Sequence, residues 1–494
     1  MKAINPLNMI DFYKVDHRRQ YKPGTSFVYS NMTARSKKYA QFLNDDKIVV
    51  FGVQYFVKHF LEELWKDNFF DRPLEEVVSQ YKRRIDNAIG KDCITYEHIE
   101  ELHGYGKLPI KIKALEEGSC VGVNIPFLTI CNTHEKFYWL VNYIETQMSC
   151  ALWKSITNAT IARQYAKILN SYESETSDME GFYLFQGHDF SARGLSSPYE
   201  MAISGASHLT SFCGTDTVLA IDLIEQYYNG DSDKQLIGAS VPATEHSVMC
   251  SWGDESEEQC FKYLVSELYK TGIVSIVSDT WDFWSVLTEL LPKMKNHILA
   301  REGKVVIRPD SGDPVDIICG DRSAPEGSPE NKGAIEVLEE VFGSTINSKG
   351  YKQLNEKIGL IYGDSITLDR CESILSKLKE KGYSSSNVVF GIGSYTYNSS
   401  TRDTLGMAIK STYCEIEGKP KNIFKDPKTD TGKMKKSAKG LLRVDKVGNE
   451  YLLKQEVSKN EEGGDLKEVF NEGLKEENLL SFEDIRSLIK DSLI

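Results

Sequence analysis

Short apolar runs that end in polar residues recur between residues 184 and 394, and a helical pattern follows each of them. The run endings are Gly187-His188-Asp189-Phe190, Gly214-Thr215-Asp216, Glu245-His246-Ser247, Ser278-Asp279, Arg308-Pro309-Asp310, Gly363-Asp364-Ser365 and Gly391-Ile392-Gly393-Ser394. A β/α barrel places its chemistry at the C-terminal ends of its parallel strands. The pattern therefore predicts an enzyme whose active site is built from these endings.

The predicted fold class is α/β, with an incomplete barrel of about seven strands as its main part. The strands are expected near residues 183–188, 209–213, 237–242, 273–278, 304–308, 358–362 and 387–391. Residues 146–400 are assigned to this barrel domain, because residues 1–145 and 401–494 lack the strand-and-ending pattern. Within those outer parts, residues 108–130 are typical of strands around a turn, and Val447-Gly448-Asn449 indicates a hairpin.

Composition excludes several classes of protein. A net charge of −13 over 494 residues argues against nucleic-acid binding, which favours a basic surface. No apolar stretch reaches the roughly 18 residues that span a bilayer, so no membrane partner is expected. Ten cysteines without a C-x-x-C pair suggest neither zinc nor a disulfide framework, and we expect a cytoplasmic protein.

The densest chemical signal is the segment from Arg308 to Asp313, which follows the apolar strand Val305-Val306-Ile307. Its carboxylate, Asp310, can accept hydrogen bonds from a sugar diol, and Arg308 can bind a phosphate or carboxylate in a bidentate manner. A buried Arg–Asp pair that only holds the turn is an equal alternative.

Two loops after apolar strands contain small residues that let backbone N–H groups approach phosphate oxygens. They are Gly363-Asp364 and Gly391-Ile392-Gly393-Ser394, and Arg402 could add positive charge. For either loop alone, ordinary strand-to-helix turn chemistry is an alternative. Neither a P-loop nor a dinucleotide-binding fingerprint is present.

A histidine and several aromatic residues complete the candidates. His246, beside Glu245, could be a general base, a phosphate acceptor, a metal ligand or a structural residue. His188-Asp189 is equally ambiguous. Phe190, Arg193 and Tyr13 suit a planar ring that becomes cationic, although such aromatic residues commonly belong to the core.

In this order, the motifs resemble the nicotinamide phosphoribosyltransferases, within the type II, nicotinate phosphoribosyltransferase-like family. The most specific are His188-Asp-Phe-Ser-Ala-Arg-Gly194, Gly214-Thr-Asp-Thr-Val218, Ser240-Val-Pro-Ala-Thr-Glu-His-Ser247, Ile307-Arg-Pro-Asp-Ser-Gly312 and Asn422-Ile-Phe-Lys-Asp-Pro427. The resemblance runs nearly end to end. It implies an incomplete barrel, a second α+β domain formed from both chain ends, and a homodimer with shared active sites.

The implied reaction joins nicotinamide to 5-phosphoribosyl-1-pyrophosphate, which yields nicotinamide mononucleotide and pyrophosphate for NAD biosynthesis. The family implies Mg²⁺, held mainly by pyrophosphate, and coupled ATP hydrolysis with phosphorylation of His246. By matching position, Asp310 is the second catalytic residue and holds the ribose hydroxyls. The substrate-binding set is Tyr13 from the other subunit, Phe190, Arg193, Asp216, Ser240, Ser275, Arg308, Gly363, Asp364, Gly393, Ser394 and Arg402. The partner subunit is expected to supply phosphate contacts from Arg35, Lys410, Lys425 and Lys433.

The chain departs from the family pattern in two motifs. Gly391-Ile-Gly-Ser394 replaces Gly-Ser-Gly-Gly, and the Ser394 side chain is expected to narrow the phosphate pocket. Thr244 replaces an alanine before Glu245-His246, and is expected to tune the phosphorylation of His246. The loop at 321–330 resembles an insertion.

Three other functions remain open at this point. A nicotinate phosphoribosyltransferase is disfavoured by Asp216, because a carboxylate repels nicotinate and accepts from an amide. A catalytically silent barrel that binds nicotinamide or a nucleotide would not need Arg308, Asp310 and His246 together. A generic phosphate-binding barrel enzyme is the remaining fallback.

Overall fold

A computed structural model of the protein describes residues 4–427 and 437–493. Contacts between residues divide the chain into two compact units. The first unit comprises Met1–Thr160, Leu223–Gly230 and Ser400–Ser492, and the second comprises Ile161–Asp222, Asp231–Ser399 and Leu493–Ile494. One boundary falls inside the long helix Glu145–Thr176. The predicted domain limits at residues 145 and 400 stay a prediction.

The second unit contains a parallel sheet of six strands, as in half of a barrel. In chain order these are β1 (Gly187–Phe190), β2 (Gly214–Thr215), β3 (Thr271–Val277), β4 (Glu302–Arg308), β5 (Ile358–Tyr362) and β6 (Val388–Gly393). Their spatial order is β2-β1-β6-β5-β4-β3, and every pairing is parallel. Because all strands run the same way, the polar endings meet at one edge of the sheet.

The prediction of about seven strands is not confirmed, because residues 237–242 form no strand. This segment makes only isolated bridges, from Ala239 to Gly214 in β2 and from Ala243 to Ser275 in β3. Pro242 lacks the N–H that a ladder needs, which accounts for the interruption. The segment nevertheless links the two edge strands of the sheet.

Two other strands begin later than predicted. Tyr183–Gln186 is helical and β1 starts at Gly187, while the helix Pro198–Leu209 covers the start of the segment predicted near 209–213. A Cβ at Gly187 would lie 2.8 Å from the Phe212 ring, so the strand starts where a glycine allows close packing.

Helices follow the strands, as the alternating pattern predicts. They are Pro198–Leu209, Val218–Tyr227, His246–Cys250, Glu257–Lys262, Tyr263–Leu268, Phe283–Ser285, Val286–Leu290, Leu291–Leu299, Pro314–Cys319, Pro329–Lys332, Ala334–Phe342, Leu368–Glu380 and Ser394–Asn398. The segment predicted as a loop at 321–330 follows the helix Pro314–Cys319, and its last two residues begin the helix Pro329–Lys332. The hairpin Ser344–Ile346 and Lys352–Leu354 lies before β5.

The first unit contains an antiparallel six-stranded sheet that mixes strands from both chain ends. Its spatial order is Lys419–Asn422, Ala408–Ile416, Thr25–Thr33, Pro126–Asn132, Ile110–Ala114 and Lys467–Asn471. Smaller sheets pair Lys47–Val49 with Cys120–Gly122, and join Leu442–Val447, Glu450–Gln455 and Gly463–Gly464. The hairpin predicted near Gly448 is therefore confirmed.

Helices of the first unit pack on a large apolar core. They are Val53–Tyr55, Phe56–Leu64, Lys66–Phe70, Leu74–Ile89, Glu97–Tyr105, Leu140–Tyr143, the start of Glu145–Thr176, and Phe482–Asp491. Short turns of helix lie at Pro6–Asn8, Phe12–Lys14, His17–Gln20, Glu135–Phe137 and Glu476–Asn478. Phe56, Trp65 and Phe69 are fully buried in this core. None of the helices in the described part of the chain is both long and apolar enough to span a membrane.

Candidate active site

A cavity of about 330 Å³ runs along the parallel sheet of the second unit, from residues that precede the strands to their C-terminal ends. It brings together five of the predicted substrate-binding residues, namely Phe190, Asp216, Ser240, Ser275 and Arg308. Phe190 and Arg308 end β1 and β4, Asp216 directly follows β2, Ser275 lies within β3, and Ser240 belongs to the irregular segment at 237–243. Its remaining lining is largely apolar, which suits a flat aromatic ligand.

Two neighbouring side chains contact the same oxygen of the Asp216 carboxylate. Its Oδ1 lies 2.9 Å from His188 Nε2 and accepts a hydrogen bond from Ser240 Oγ at 2.6 Å. Burial raises the pKa of Asp216, but the hydrogen bond and charge of His188, the bond from Ser240 and the charge of Arg308 outweigh it. The net pKa is below the ordinary value, so the carboxylate is ionised at neutral pH.

Phe190 lies between a cation and a glycine. The Arg308 guanidinium carbon is 5.9 Å from the centroid of the ring, within the range of a cation–π interaction. A Cβ at Gly391 would lie 2.4 Å from the same ring, so the glycine is required for this packing. The strand ends therefore fix the ring in place.

A second cluster surrounds His246. His246 Nε2 lies 3.8 Å from Asp279 Oδ1 and 3.7 Å from Asp310 Oδ2, and Arg308 Nη2 lies 3.6 Å from Asp310 Oδ2. Asp279 accepts from the Asp310 backbone N–H at 2.8 Å and from Ser311 Oγ at 2.6 Å. Arg308 thus contacts both the cavity and the carboxylate cluster.

Several buried polar atoms at these strand ends have no hydrogen-bond partner within the described protein. They are Ser275 Oγ, Asp279 Oδ1, Arg308 Nε and Asp310 Oδ1. Leaving such groups unsatisfied costs roughly 1–3 kcal/mol each. Burial raises the pKa of the Asp310 carboxyl. The positive charges of Arg308 and His246 oppose that rise, and the negative charges of Asp279 and Asp364 add to it. Such a strained polar cluster is typical of a site that binds a ligand.

The two predicted phosphate loops lie at the ends of β5 and β6. A Cβ at Gly363 would lie 1.9 Å from Asp310 Oδ1, whereas a Cβ at Gly393 would meet nothing within 4 Å. A Cβ at Gly194 would lie 2.0 Å from Ser394 Oγ, so the Ser394 side chain packs against that glycine. Asp364 and Arg193 are exposed.

The remaining predicted residues lie in the first unit. Tyr13 and Arg402 are exposed, and Arg35 donates from Nε to the Gly406 carbonyl at 2.9 Å. Burial lowers the pKa of Lys410, and the positive charges of Arg35, Lys425 and Arg402 lower it further. The negative charge of Glu145 acts in the opposite direction. These four cations therefore form one basic cluster. Lys433 lies outside the described residues.

The predicted site residues do not include three residues that the structure places at the site. Asp279 ends an apolar strand as Asp310 does, and that shared position was the available signal. His188 contacts Asp216. Asp189 is fully buried, and accepts hydrogen bonds from Ser191 and Thr217. Asp216, the partner of His188, and Thr217, one partner of Asp189, each lie 28 residues away along the chain, so no local pattern reports these contacts.

A parallel α/β sheet whose strand ends present glycines, carboxylates and cations defines a class of enzymes that bind phosphorylated substrates. The comparisons with known proteins narrow this class. The chain belongs to the nicotinate phosphoribosyltransferase family, whose model matches residues 185–474. Residues 5–112 match the model described as the N-terminal domain of nicotinamide phosphoribosyltransferase.

Curated relatives support the same assignment over most of the chain. A nicotinamide phosphoribosyltransferase of Acinetobacter baylyi is 54% identical over 479 residues, which cover 95% of this chain and 94% of the relative. One of Mycoplasma pneumoniae is 35% identical and covers 86% of this chain and 92% of the relative. The family membership confirms the phosphoribosyltransferase resemblance inferred from the motifs.

Two solved structures share the fold. The nicotinate-nucleotide pyrophosphorylase of Pyrococcus furiosus aligns with a TM-score of 0.57 at 13% identity, over 99% of this chain and 95% of that one. Human nicotinic acid phosphoribosyltransferase aligns with a TM-score of 0.56 at 14% identity, over 98% and 93%. At these identities the likeness concerns the fold alone.

Proposed function

We propose that the enzyme transfers the 5-phosphoribosyl group of 5-phosphoribosyl-1-pyrophosphate to nicotinamide, in the salvage route of NAD biosynthesis. The observation that carries this proposal is the ionised Asp216 carboxylate in the same cavity as Phe190 and Arg308. A carboxylate accepts hydrogen bonds from the N–H₂ of a carboxamide, and offers nothing to the carboxylate of nicotinate. The names of the relatives agree with this substrate.

In the proposed complex, nicotinamide stacks on Phe190 and its amide N–H₂ donates to Asp216. Tyr13 of a second copy covers the other face of the ring. Arg193, Ser240, Ser275 and Arg308 line the rest of the pocket. The unpaired Ser275 Oγ supports this arrangement, because it is a buried donor without a partner inside the protein.

The phosphoribosyl group is proposed to lie over β4, β5 and β6. Asp310 accepts from the ribose hydroxyls, for which its unpaired Oδ1 is suited. The 5′-phosphate is surrounded by Gly363, Asp364, Gly393, Ser394 and Arg402. Open space at Gly393 supports a close approach of the phosphate to the backbone. Arg35, Lys410, Lys425 and Lys433 reach phosphates from the partner subunit.

The transfer needs little proton chemistry. Pyrophosphate leaves C1′ with the electron pair of the C–O bond, positive charge develops on the sugar, and the pyridine nitrogen forms the new C–N bond. The protein positions the two reactants and stabilises the separated charges. Asp310 lies near the developing positive charge, and the cations stabilise the departing pyrophosphate.

Mg²⁺ is proposed as the cofactor, held mainly by pyrophosphate. Among the residues that the structure describes, no group of three or more His, Cys, Asp or Glu could hold a metal ion. The unpaired Oδ1 atoms of Asp279 and Asp310 fit an ion that takes one or two carboxylates and several substrate oxygens. When bound, Mg²⁺ neutralises charge on the leaving group.

ATP is proposed to phosphorylate His246, and thereby to favour binding of the phosphoribosyl donor. The half-exposed His246 ring, which lies between Asp279 and Asp310, is accessible to ATP. Thr244 is buried, its Oγ1 accepts a hydrogen bond from the Val277 N–H at 2.9 Å, and its own N–H donates to the Ser275 carbonyl at 3.0 Å. The expected effect of Thr244 on phosphorylation therefore acts through β3 rather than through direct contact with ATP.

The proposal is tested by a Mg²⁺-containing assay with 5-phosphoribosyl-1-pyrophosphate and labelled nicotinamide, with and without ATP. We expect one pyrophosphate per nicotinamide mononucleotide, and stimulation by ATP that is lost in His246→Ala. Binding of nicotinamide without any product would instead establish a non-catalytic protein. Product from nicotinate alone would show that the acid is the substrate.

A further inference from the structure

His188 contacts Asp216, the residue on which the substrate assignment depends. Its Nε2 lies 2.9 Å from Asp216 Oδ1, and Ser240 Oγ donates to that same oxygen. Both partners therefore occupy one oxygen of the carboxylate. The side chain of Asp216 is 43% exposed, and it lines the cavity.

The His188 ring cannot easily turn away from this contact. Its side chain is only 12% exposed, and a Cβ at Gly214 would lie 2.8 Å from His188 Nδ1. On its other side, the ring centroid lies 5.0 Å from that of Phe190, with the two planes at 60°. The ring is thus packed between the backbone of β2 and the ring proposed to stack on nicotinamide.

The strand that carries His188 also fixes the backbone around Asp216. The Asp216 N–H donates to the Asp189 carbonyl at 3.0 Å, and Thr217 Oγ1 donates to the Asp189 carboxylate at 2.7 Å. His188 and Asp189 are adjacent, so one dipeptide holds both the side chain and the backbone of the neighbouring strand end. Such support keeps a binding group in one orientation.

We propose that His188 is a specificity-determining positioning residue, which acts through Asp216 to make the enzyme prefer the carboxamide of nicotinamide over the carboxylate of nicotinate. By occupying Oδ1 together with Ser240, it leaves Oδ2 to accept from the amide N–H₂. The charged carboxylate repels nicotinate whichever way it is turned, so its orientation matters for the amide alone. This inference rests on the proposed function.

The test compares His188→Asn with His188→Gln. The Gln amide reaches about as far from Cβ as Nε2 of histidine and retains a donor, whereas the Asn amide is one methylene too short. For His188→Asn we expect kcat/KM for nicotinamide to fall by about tenfold, as the loss of one hydrogen bond to a charged group implies. We expect kcat/KM for nicotinate to change by less than about twofold, and the KM of the phosphoribosyl donor to stay the same. His188→Gln should recover most of the preference.

A double-mutant cycle distinguishes positioning from a general structural role. In an Asp216→Ala background, His188→Asn should cause no further change in the ratio of the two kcat/KM values. If the Asn and Gln variants keep the wild-type ratio, or if the two substitutions have additive effects, the role of His188 is overturned. If His188→Asn unfolds, His188→Leu decides the matter, because it removes the donor to Asp216 while it fills much of the same space, and a wild-type ratio in this variant would overturn the role. A wild-type enzyme that makes no nicotinamide mononucleotide would contradict the proposed function itself, which is a separate outcome.

Discussion

At the scale of single residues, two glycines at the strand ends have different surroundings. Gly363 lies against Asp310, whereas the space beside Gly393 is open. A methyl group added at Gly363 would therefore have a different effect from one added at Gly393. At Gly363 it would displace a side chain of the protein, and at Gly393 it would meet only a ligand.

Gly393→Ala should weaken binding of the phosphoribosyl donor without weakening the fold. We expect its KM for 5-phosphoribosyl-1-pyrophosphate to rise by about tenfold, because a phosphate could no longer approach the backbone N–H groups. The melting temperature should remain within about 2 °C of the wild type. An unchanged KM would argue against a phosphate at this loop.

Gly363→Ala is the matched variant, and it should lower both activity and stability. The added methyl group must move Asp310, which lies 1.9 Å from the position of the new Cβ. Overpacking of this kind costs about 1–3 kcal/mol, which thermal unfolding would detect. Equal melting temperatures for the two alanine variants would contradict the packing described here.

At the scale of elements, one buried histidine ties several parts of the second unit together. His208 is fully buried on the helix Pro198–Leu209. Its Nε2 donates to the Gly214 carbonyl at 3.0 Å, and its Nδ1 accepts from the Tyr397 hydroxyl at 2.6 Å. Burial lowers the pKa of His208, and the negative charge of Asp189 opposes this only in part, so the pKa is about 4. The helix that follows the Gly393 loop is therefore anchored to β2 by a neutral ring.

This pKa predicts how stability depends on pH. In the unfolded chain His208 binds a proton near pH 6.5, and in the folded protein only near pH 4. Between these values the unfolded state binds more protons, so the contribution is complete above about pH 6.5 and is lost as the pH falls toward 4. The slope is at most about 1.4 kcal/mol per pH unit.

Urea unfolding at pH 7.5, 6.0 and 5.0 measures this slope. The slope of the wild type should exceed that of His208→Gln, while the exposed His297→Gln should leave it unchanged. His98, whose pKa burial lowers to about 3, contributes a similar slope that persists in all three proteins. Parallel slopes for the wild type and His208→Gln would contradict the neutral, anchored ring.

The sequence predicted the α/β class and the parallel sheet, and five of the predicted site residues line one cavity, because polar endings after apolar runs are local signals. The predicted positions of β1 and β2 are too early in the chain. The apolar runs were predicted to be the strands, whereas the polar endings that follow them form the strands. It also predicted a strand at 237–242, where Pro242 interrupts the ladder. The contacts of His188, Asp189 and His208 cross between elements, and no local pattern reports them.

At the scale of the whole molecule, the proposed homodimer has active sites that take residues from both subunits. The predicted contributors divide between the two compact units of the chain. Asp310 and its neighbours belong to the second unit, and Lys410 belongs to the basic cluster of the first. Mixing variants that are defective in different units therefore tests whether the sites are shared.

Asp310→Ala and Lys410→Ala should each have little activity alone and should complement one another in mixed dimers. With random exchange, half of the dimers are mixed and each has one intact site, so activity should recover to about a quarter of the wild type. The control mixes each variant with itself. Activity no greater than the sum of the separate variants would place each site within one subunit.

The central claim is that the Asp216 cavity selects nicotinamide. The most direct measurement is a competition, in which wild-type enzyme, Mg²⁺, ATP and limiting 5-phosphoribosyl-1-pyrophosphate are mixed with equal concentrations of nicotinamide and nicotinate. The ratio of the two mononucleotides gives the ratio of the kcat/KM values. We predict at least about a hundredfold excess of nicotinamide mononucleotide, since the site accepts from the amide and repels the acid. An equal mixture, or an excess of the nicotinate product, would contradict the account.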